Sequence, residues 1–298
     1  IAMMLLALTA LAGLMLLLGA WSLGAPTAQA QGGSIHYVAP GGNCGSVSPC
    51  YSSVQAAVDA ASNGDEIRIA TGTYNENVNL NKSLTLRGGY TTTDWTTSNP
   101  ISYPTVLNGG GAGRVIVANT DGTNVTIENL EVTGGTGGIQ IGDDQARNIN
   151  ATIRNCYIHD NDSTSAYPDN GGGIYAYING GYTVRIEDCR ISGNTGGIGG
   201  GIYAYADSNA IIRIERSRIT GNTDSSSCAS GYCSGGVEVA GPSGVPTLIF
   251  SGNVITGNTN HAASNGERGP VVNLSCDDCT VEDLSLIHIS EPTRLGMI

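Results

Sequence analysis

Large and basic side chains are scarce in this 298-residue chain: it has one Phe, Lys82 as its only lysine, and 13% charged residues in all. A core built from so few long side chains suits short strands and tight bends better than packed helices. Forty-four glycines point the same way. The net charge of −12, with so few cations, argues against binding nucleic acid phosphates. It also suits an acidic polymer poorly unless cations intervene. No glycine-rich stretch completes GxGxxG or GxxxxGK, which removes support for nucleotide chemistry. No Cys/His set has the paired spacing of a zinc site.

What the chain does have is a recurring phrase. It reads TIENLEVTGG (126 to 135), TIRNCYIHDN (152 to 161), RIEDCRISGN (185 to 194), RIERSRITGN (213 to 222) and IFSGNVITGN (249 to 258). Val132, Ile158, Ile191, Ile219 and Ile255 hold one place in it, at intervals of 26, 33, 28 and 36 residues. A repeat of that length marks a solenoid, and the period-two alternation within each copy marks strands. A second phrase keeps step: GGIQIG (137 to 142), GGGIYAY (171 to 177), GGGIYAY (199 to 205) and GGVEVA (235 to 240). Each coil therefore carries several strands joined by Gly/Asn bends. Strands of successive coils would pair in parallel about 4.8 Å apart, giving a parallel β-helix of about eight coils in one domain.

With these repeats the chain resembles the right-handed parallel β-helix proteins of the pectate-lyase-like superfamily. The segment 51 to 90 is similar to their N-terminal part, a capping helix followed by the first coil. Ser52 or Ser53 is suited to cap that helix, and Val54, Ala57, Val58 and Ala61 make its apolar face. The resemblance covers roughly residues 36 to 283 and is specific for an all-β fold with a short cap. It says little about activity, because one fold hosts many functions.

Both ends are set apart. Residues 3 to 20 form an apolar run, and Ala28-Gln29-Ala30 fits a small-x-small cleavage site, so 1–30 reads as a signal peptide and the chain as exported to the cell surface or beyond. Residues 284–298 break the repeat, and LSLIHISEPTR looks like the translation of a sequencing-library adapter, which leaves 31–283 as a β-helix expected to be truncated at its C-terminus. Export favours oxidised cysteines. Cys44 with Cys50, Cys228 with Cys233, and Cys276 with Cys279 are spaced for local bridges. Cys156 and Cys189 share one repeat position on neighbouring coils and should face the core, where a free thiol pair or a bridge would fit.

Two surfaces are candidates for function. In IYAY, alternation turns Tyr175, Tyr177, Tyr203 and Tyr205 outward, and an exposed tyrosine patch suits sugar rings. Such ladders also stabilise neighbouring strands without any ligand. The second surface is acidic: Asp121, Asp143, Asp144 and Asp207 all follow the same strand, where carboxylates can converge to bind Ca²⁺ or to hydrolyse a glycosidic bond. NTDG and GDD resemble the carboxylate motifs of the polygalacturonase branch. The order departs from that branch, since Asp143 and Asp144 follow their strand, and GHG and RIK segments are missing. The lyase branch's basic residue beside a Ca²⁺ site has no counterpart either, with Arg147 the nearest cation. His159, Asp160, Asp162 and Asp169 read as solvated bend residues, and Asn161, Asn194, Asn222 and Asn258 as a structural amide stack. The expected function is a monomeric exported scaffold that binds polysaccharide through the tyrosines. The alternatives are a polysaccharide lyase or hydrolase using Asp121, Asp143 and Asp144, and an adhesin or surface-layer component.

Overall fold

The computed structural model describes residues 33–165, 170–207, 209–225, 234–241, 246–260, 271–274, 278–283 and 285–287. The expected signal peptide and Asp169, Cys228, Cys233 and Cys276 lie outside these residues, and Cys279 is described by its backbone alone.

Three sheets of parallel strands wrap the main core. Among the described residues the first has ten strands, the second eight and the third seven, and a two-stranded fourth sheet pairs Thr195–Gly196 with Thr223–Asp224. Each coil visits the first, second and third sheets in turn, as in Ile149–Arg154, Tyr157–His159 and Ile174–Ile178. The register follows the sequence repeat. Val132 pairs with Ile158, Ile158 with Ile191, Ile191 with Ile219, and Ile219 with Ile255. All five are buried, because the residues between them alternate outward.

The cap forms as expected. The helix Val54–Ala60 opens on Ser53, whose Oγ accepts a hydrogen bond from the Ala56 N–H, and Val54, Ala57 and Val58 are buried beneath it. Two strands precede it: Ile35–Val38 and Cys50–Tyr51 extend the first sheet. Cys44 and Cys50 form a disulfide, and Cys156 and Cys189 are free and buried in the main core. Burial is the main reason the Cys189 thiol is held well above its ordinary pKa.

Two bends organise the five coils whose first-sheet strands run from Thr123–Glu128 to Thr247–Ser251. Leaving the first sheet, the chain turns through one left-handed residue: Asn129, Asn155, Asp188, Arg216 and Gly252 on successive coils. Leaving the second sheet, the left-handed residue is Gly134, Asp160, Gly193, Gly221 or Gly257. The amide stack sits one residue later, so these asparagines themselves lie outside the left-handed region. Asn161 donates to Asn194, Asn194 to Asn222 and Asn222 to Asn258, at 3.0, 3.0 and 2.9 Å, and Asn161, Asn194 and Asn222 are almost wholly buried. The GGG phrase then carries the chain past the fourth sheet. A Cβ on Gly200 would fall 2.2 Å from the Thr223 carbonyl oxygen, which leaves room for glycine alone.

Candidate functional site

The outer face of the third sheet carries one polar and aromatic row. The strand register aligns Val117, Gln140, Tyr175, Tyr203, Glu238 and Asn273 across six coils. Their inward neighbours are Ile, Val and Ala, so the alternation that buries Ile174, Ile202 and Val237 also sets this row on the outside.

The tyrosines point outward as expected, but they are not an exposed patch. Tyr175 is 3% exposed, and the other three are half-buried. The Arg114 guanidinium covers the Tyr175 ring at 5.3 Å, while its own N–H groups reach the carbonyls of Asn170 and Gly171. The Tyr175 hydroxyl donates to the Asp143 carbonyl at 2.6 Å. Tyr175 and Tyr203 stack with centroids 5.7 Å apart, and Tyr177 meets Tyr205 edge-on at 4.8 Å. Burial pushes the Tyr175 and Tyr203 hydroxyls well above the usual phenol range, so both stay protonated donors. The Arg114 side chain and the Asp143 carbonyl, both from earlier coils, cover a face that strand alternation alone leaves open.

Of the expected carboxylates, Asp121 and Asp143 meet at a cation. Arg147 holds Asp143 through two hydrogen bonds, one of them at 2.9 Å, and lies 3.7 Å from Asp121, while Asp144 is exposed beside them. Asp121 also accepts from the Asn148 N–H at 2.8 Å. Partial burial alone would raise the Asp143 pKa, but hydrogen bonds from Arg147 and the Gln145 N–H outweigh it and the net shift is downward. Asp143 is thus a locked anion, poorly placed to act as a general acid. Among the described residues no group of three or more His, Cys, Asp or Glu is placed to hold a metal ion. His159 is not a solvated bend residue. It stacks on Tyr157 at 4.0 Å and bridges Asp160 and Glu131 at 2.8 and 3.0 Å.

The residue that sequence reasoning missed is Glu238. It is 2% exposed, its Oε1 accepts from Asn273 at 2.8 Å, and its Oε2 has no hydrogen-bond partner. Burial pushes its carboxyl up to about 7, helped by the charge of buried Asp224 and opposed by the hydrogen bond from Asn273. A carboxylic acid that holds its proton near neutral pH is equipped to give that proton away. The signal was present: aligning GGVEVA with GGGIYAY puts Glu238 in the position of Tyr175 and Tyr203. Asp224 reaches the same neighbourhood from the fourth sheet, which no sequence period revealed.

A coil of three parallel sheets with its polar row outside defines a β-helix solenoid. The chain belongs to the right handed beta helix region family, whose model matches residues 95–283. No curated protein matches the sequence. Three solved structures are similar, each at 16% identity. A pectate lyase, Pel9A, aligns over 84% of this chain and 79% of its own with a TM-score of 0.48. The rice weevil pectin methyl esterase aligns over 79% and 86% with 0.39, and a pectin methylesterase of Aspergillus niger over 87% and 86% with 0.36.

Proposed function

We propose that this chain is an exported, polysaccharide-directed β-helix protein that engages glycan along the outer row of its third sheet, with Glu238 as the proton-exchanging group. The observation that carries the reading is the unpaired, buried Oε2 of Glu238 on the same row as Tyr175 and Tyr203. Export rests on the apolar leader and the small-x-small motif, and no helix among the described residues is long and apolar enough to cross a membrane. Half-buried Tyr203, Tyr205 and Tyr177 offer ring edges and hydroxyls to sugar, and Gln140 and Asn273 offer amides. In hydrolysis, protonated Glu238 would give its proton to the leaving oxygen as the glycosidic C–O bond breaks, water would add at the anomeric carbon, and the proton that water releases would return the carboxylate to its acid form.

A second reading, a binding scaffold without catalysis, is favoured by the ion pairing of Asp121 and Asp143 to Arg147. The Ca²⁺ expectation attaches to the same ledge, and Arg147→Ala is the variant that would free its carboxylates. Both readings meet in one experiment: acidic and neutral polysaccharides are offered with and without Ca²⁺, and retention is followed together with release of reducing or unsaturated ends. Product release that drops at least about a hundredfold in Glu238→Gln supports proton transfer at this residue. Retention without products supports the scaffold, and neither retention nor release sinks the polysaccharide reading.

A further inference from the structure

The corner between the first and second sheets carries an open groove that the third-sheet reading does not use. Its floor is the left-handed turn residue of three successive coils, Asn129, Asn155 and Asp188. One wall is the 91–104 excursion. Two cavities of about 520 and 220 Å³ adjoin there, and both are lined by those three floor residues.

The larger cavity is polar and rigidly held. Buried Glu128 accepts hydrogen bonds from both Arg87 and Arg154, and Arg87 also reaches Glu66 at 2.9 Å. Asn155 donates to Asn129 and Asn129 to Ser98, each at 2.7 Å. Arg154 and Asn155 remain exposed at the surface of this network. The smaller cavity is apolar and aromatic, with Pro100, Ile101 and Leu130 beside Tyr157. Arg190 lies over the Tyr157 ring at 4.6 Å, and Ile101 is 94% exposed.

Charge decides what the groove suits. Arg87, Arg154 and Arg190 are matched by Glu128, Glu131 and Asp188 within the same lining, so neither a polyanion nor a polycation meets a net attraction. What remains is fixed donors and acceptors next to an aromatic and aliphatic patch, repeated coil by coil at about 4.8 Å. A neutral sugar chain has the matching chemistry, with hydroxyls that donate and accept along its edges and apolar C–H faces. We propose that this corner groove is a second glycan site, which takes a neutral oligosaccharide laid along the solenoid axis over Asn129, Asn155 and Asp188.

The test titrates the full chain with cellohexaose, xylohexaose, mannohexaose and maltohexaose, with polygalacturonate, heparin and an unstructured peptide as comparators. Binding is read by calorimetry and by the emission of Trp95, which packs 5.9 Å from Tyr90, a residue of the cavity lining. At least one neutral hexaose is expected to bind with little salt dependence. Affinity should fall about tenfold or more in Tyr157→Ala and in Asn155→Gly, the latter removing the amide while tolerating the left-handed backbone. Tyr203→Ala on the third sheet should leave this binding unchanged, which separates the site from the one proposed above. Circular dichroism of each variant verifies that the coil is intact. The proposal is overturned if no neutral hexaose binds, if only the anionic or peptide comparators bind, or if binding survives both corner variants.

Discussion

Glu238 and Asp65 pull the pH dependence of stability in opposite directions. Glu238 holds its proton up to about 7 in the folded chain, whereas an exposed glutamate releases it near 4.3. Its contribution is therefore present in full below the unfolded value and is lost as pH rises through about 7, a change on the order of 3 kcal/mol. Asp65 is raised by burial, but hydrogen bonds from the Ser62 and Ser34 N–H groups and from His36 outweigh that and lower its pKa. Its contribution is present above the unfolded carboxylate value and disappears as pH falls through the depressed one. Denaturant unfolding from pH 4 to 8 should show Glu238→Gln losing the decline between about 4.5 and 7 that the parent shows, and becoming the more stable protein at pH 8. Identical profiles for the two proteins would remove Glu238 as a buried acid, and with it the support for proton transfer on the third sheet.

At the level of elements, the bends differ in what they bear. Asn194 Oδ1 accepts from both the backbone N–H and the side-chain amide of Asn161, and Asn194 Nδ2 donates to Ile158 and Asn222. Truncating it strands several buried groups at once, so Asn194→Ala should cost about 2–4 kcal/mol in urea unfolding. Asn124, which accepts from Asn150 in the open, should cost about 0.5 kcal/mol or less on the same change. Equal costs would show that the stack is ornamental to stability. The inward row from Val132 to Ile255 and this amide stack were legible in the sequence because each recurs once per coil in one phrase. The burial of Tyr175 was not, since it depends on Arg114 and on the Asp143 carbonyl, which arrive from irregular bends of different lengths. Pairing of Asp143 with Arg147 was equally hidden, although the two lie four residues apart, because a non-helical bend has no fixed spacing rule. Glu238 was in plain alignment with the tyrosines, yet its hold on the proton comes from burial, which a sequence position does not state.

Across the described coils, contacts run between neighbours, and the buried apolar residues divide into two groups. The main core extends from Val38 to Ile255, while Ala39, Cys44, Ala70, Tyr90 and Trp95 form a separate cluster at the first coils. The Cys44–Cys50 disulfide belongs to the second group, and the Trp95 indole N–H donates to the Cys44 carbonyl at 3.1 Å. In a solenoid, where a coil leans only on its neighbours, damage to the small cluster should stay local. A bridge between residues six apart stabilises by on the order of 2 kcal/mol, and that loss falls on the segment that Trp95 anchors. The Cys44→Ser, Cys50→Ser variant should therefore shift Trp95 emission to the red and lower the denaturant midpoint read by that emission. Far-UV circular dichroism should keep its β signal and move its midpoint less. Coincident shifts by both probes would mean that the coils unfold as one unit, and the cluster would then be a structural part of the main core. Because Tyr90 joins this cluster and lines the corner groove, the same variant would weaken neutral-hexaose binding there while leaving the third-sheet row untouched.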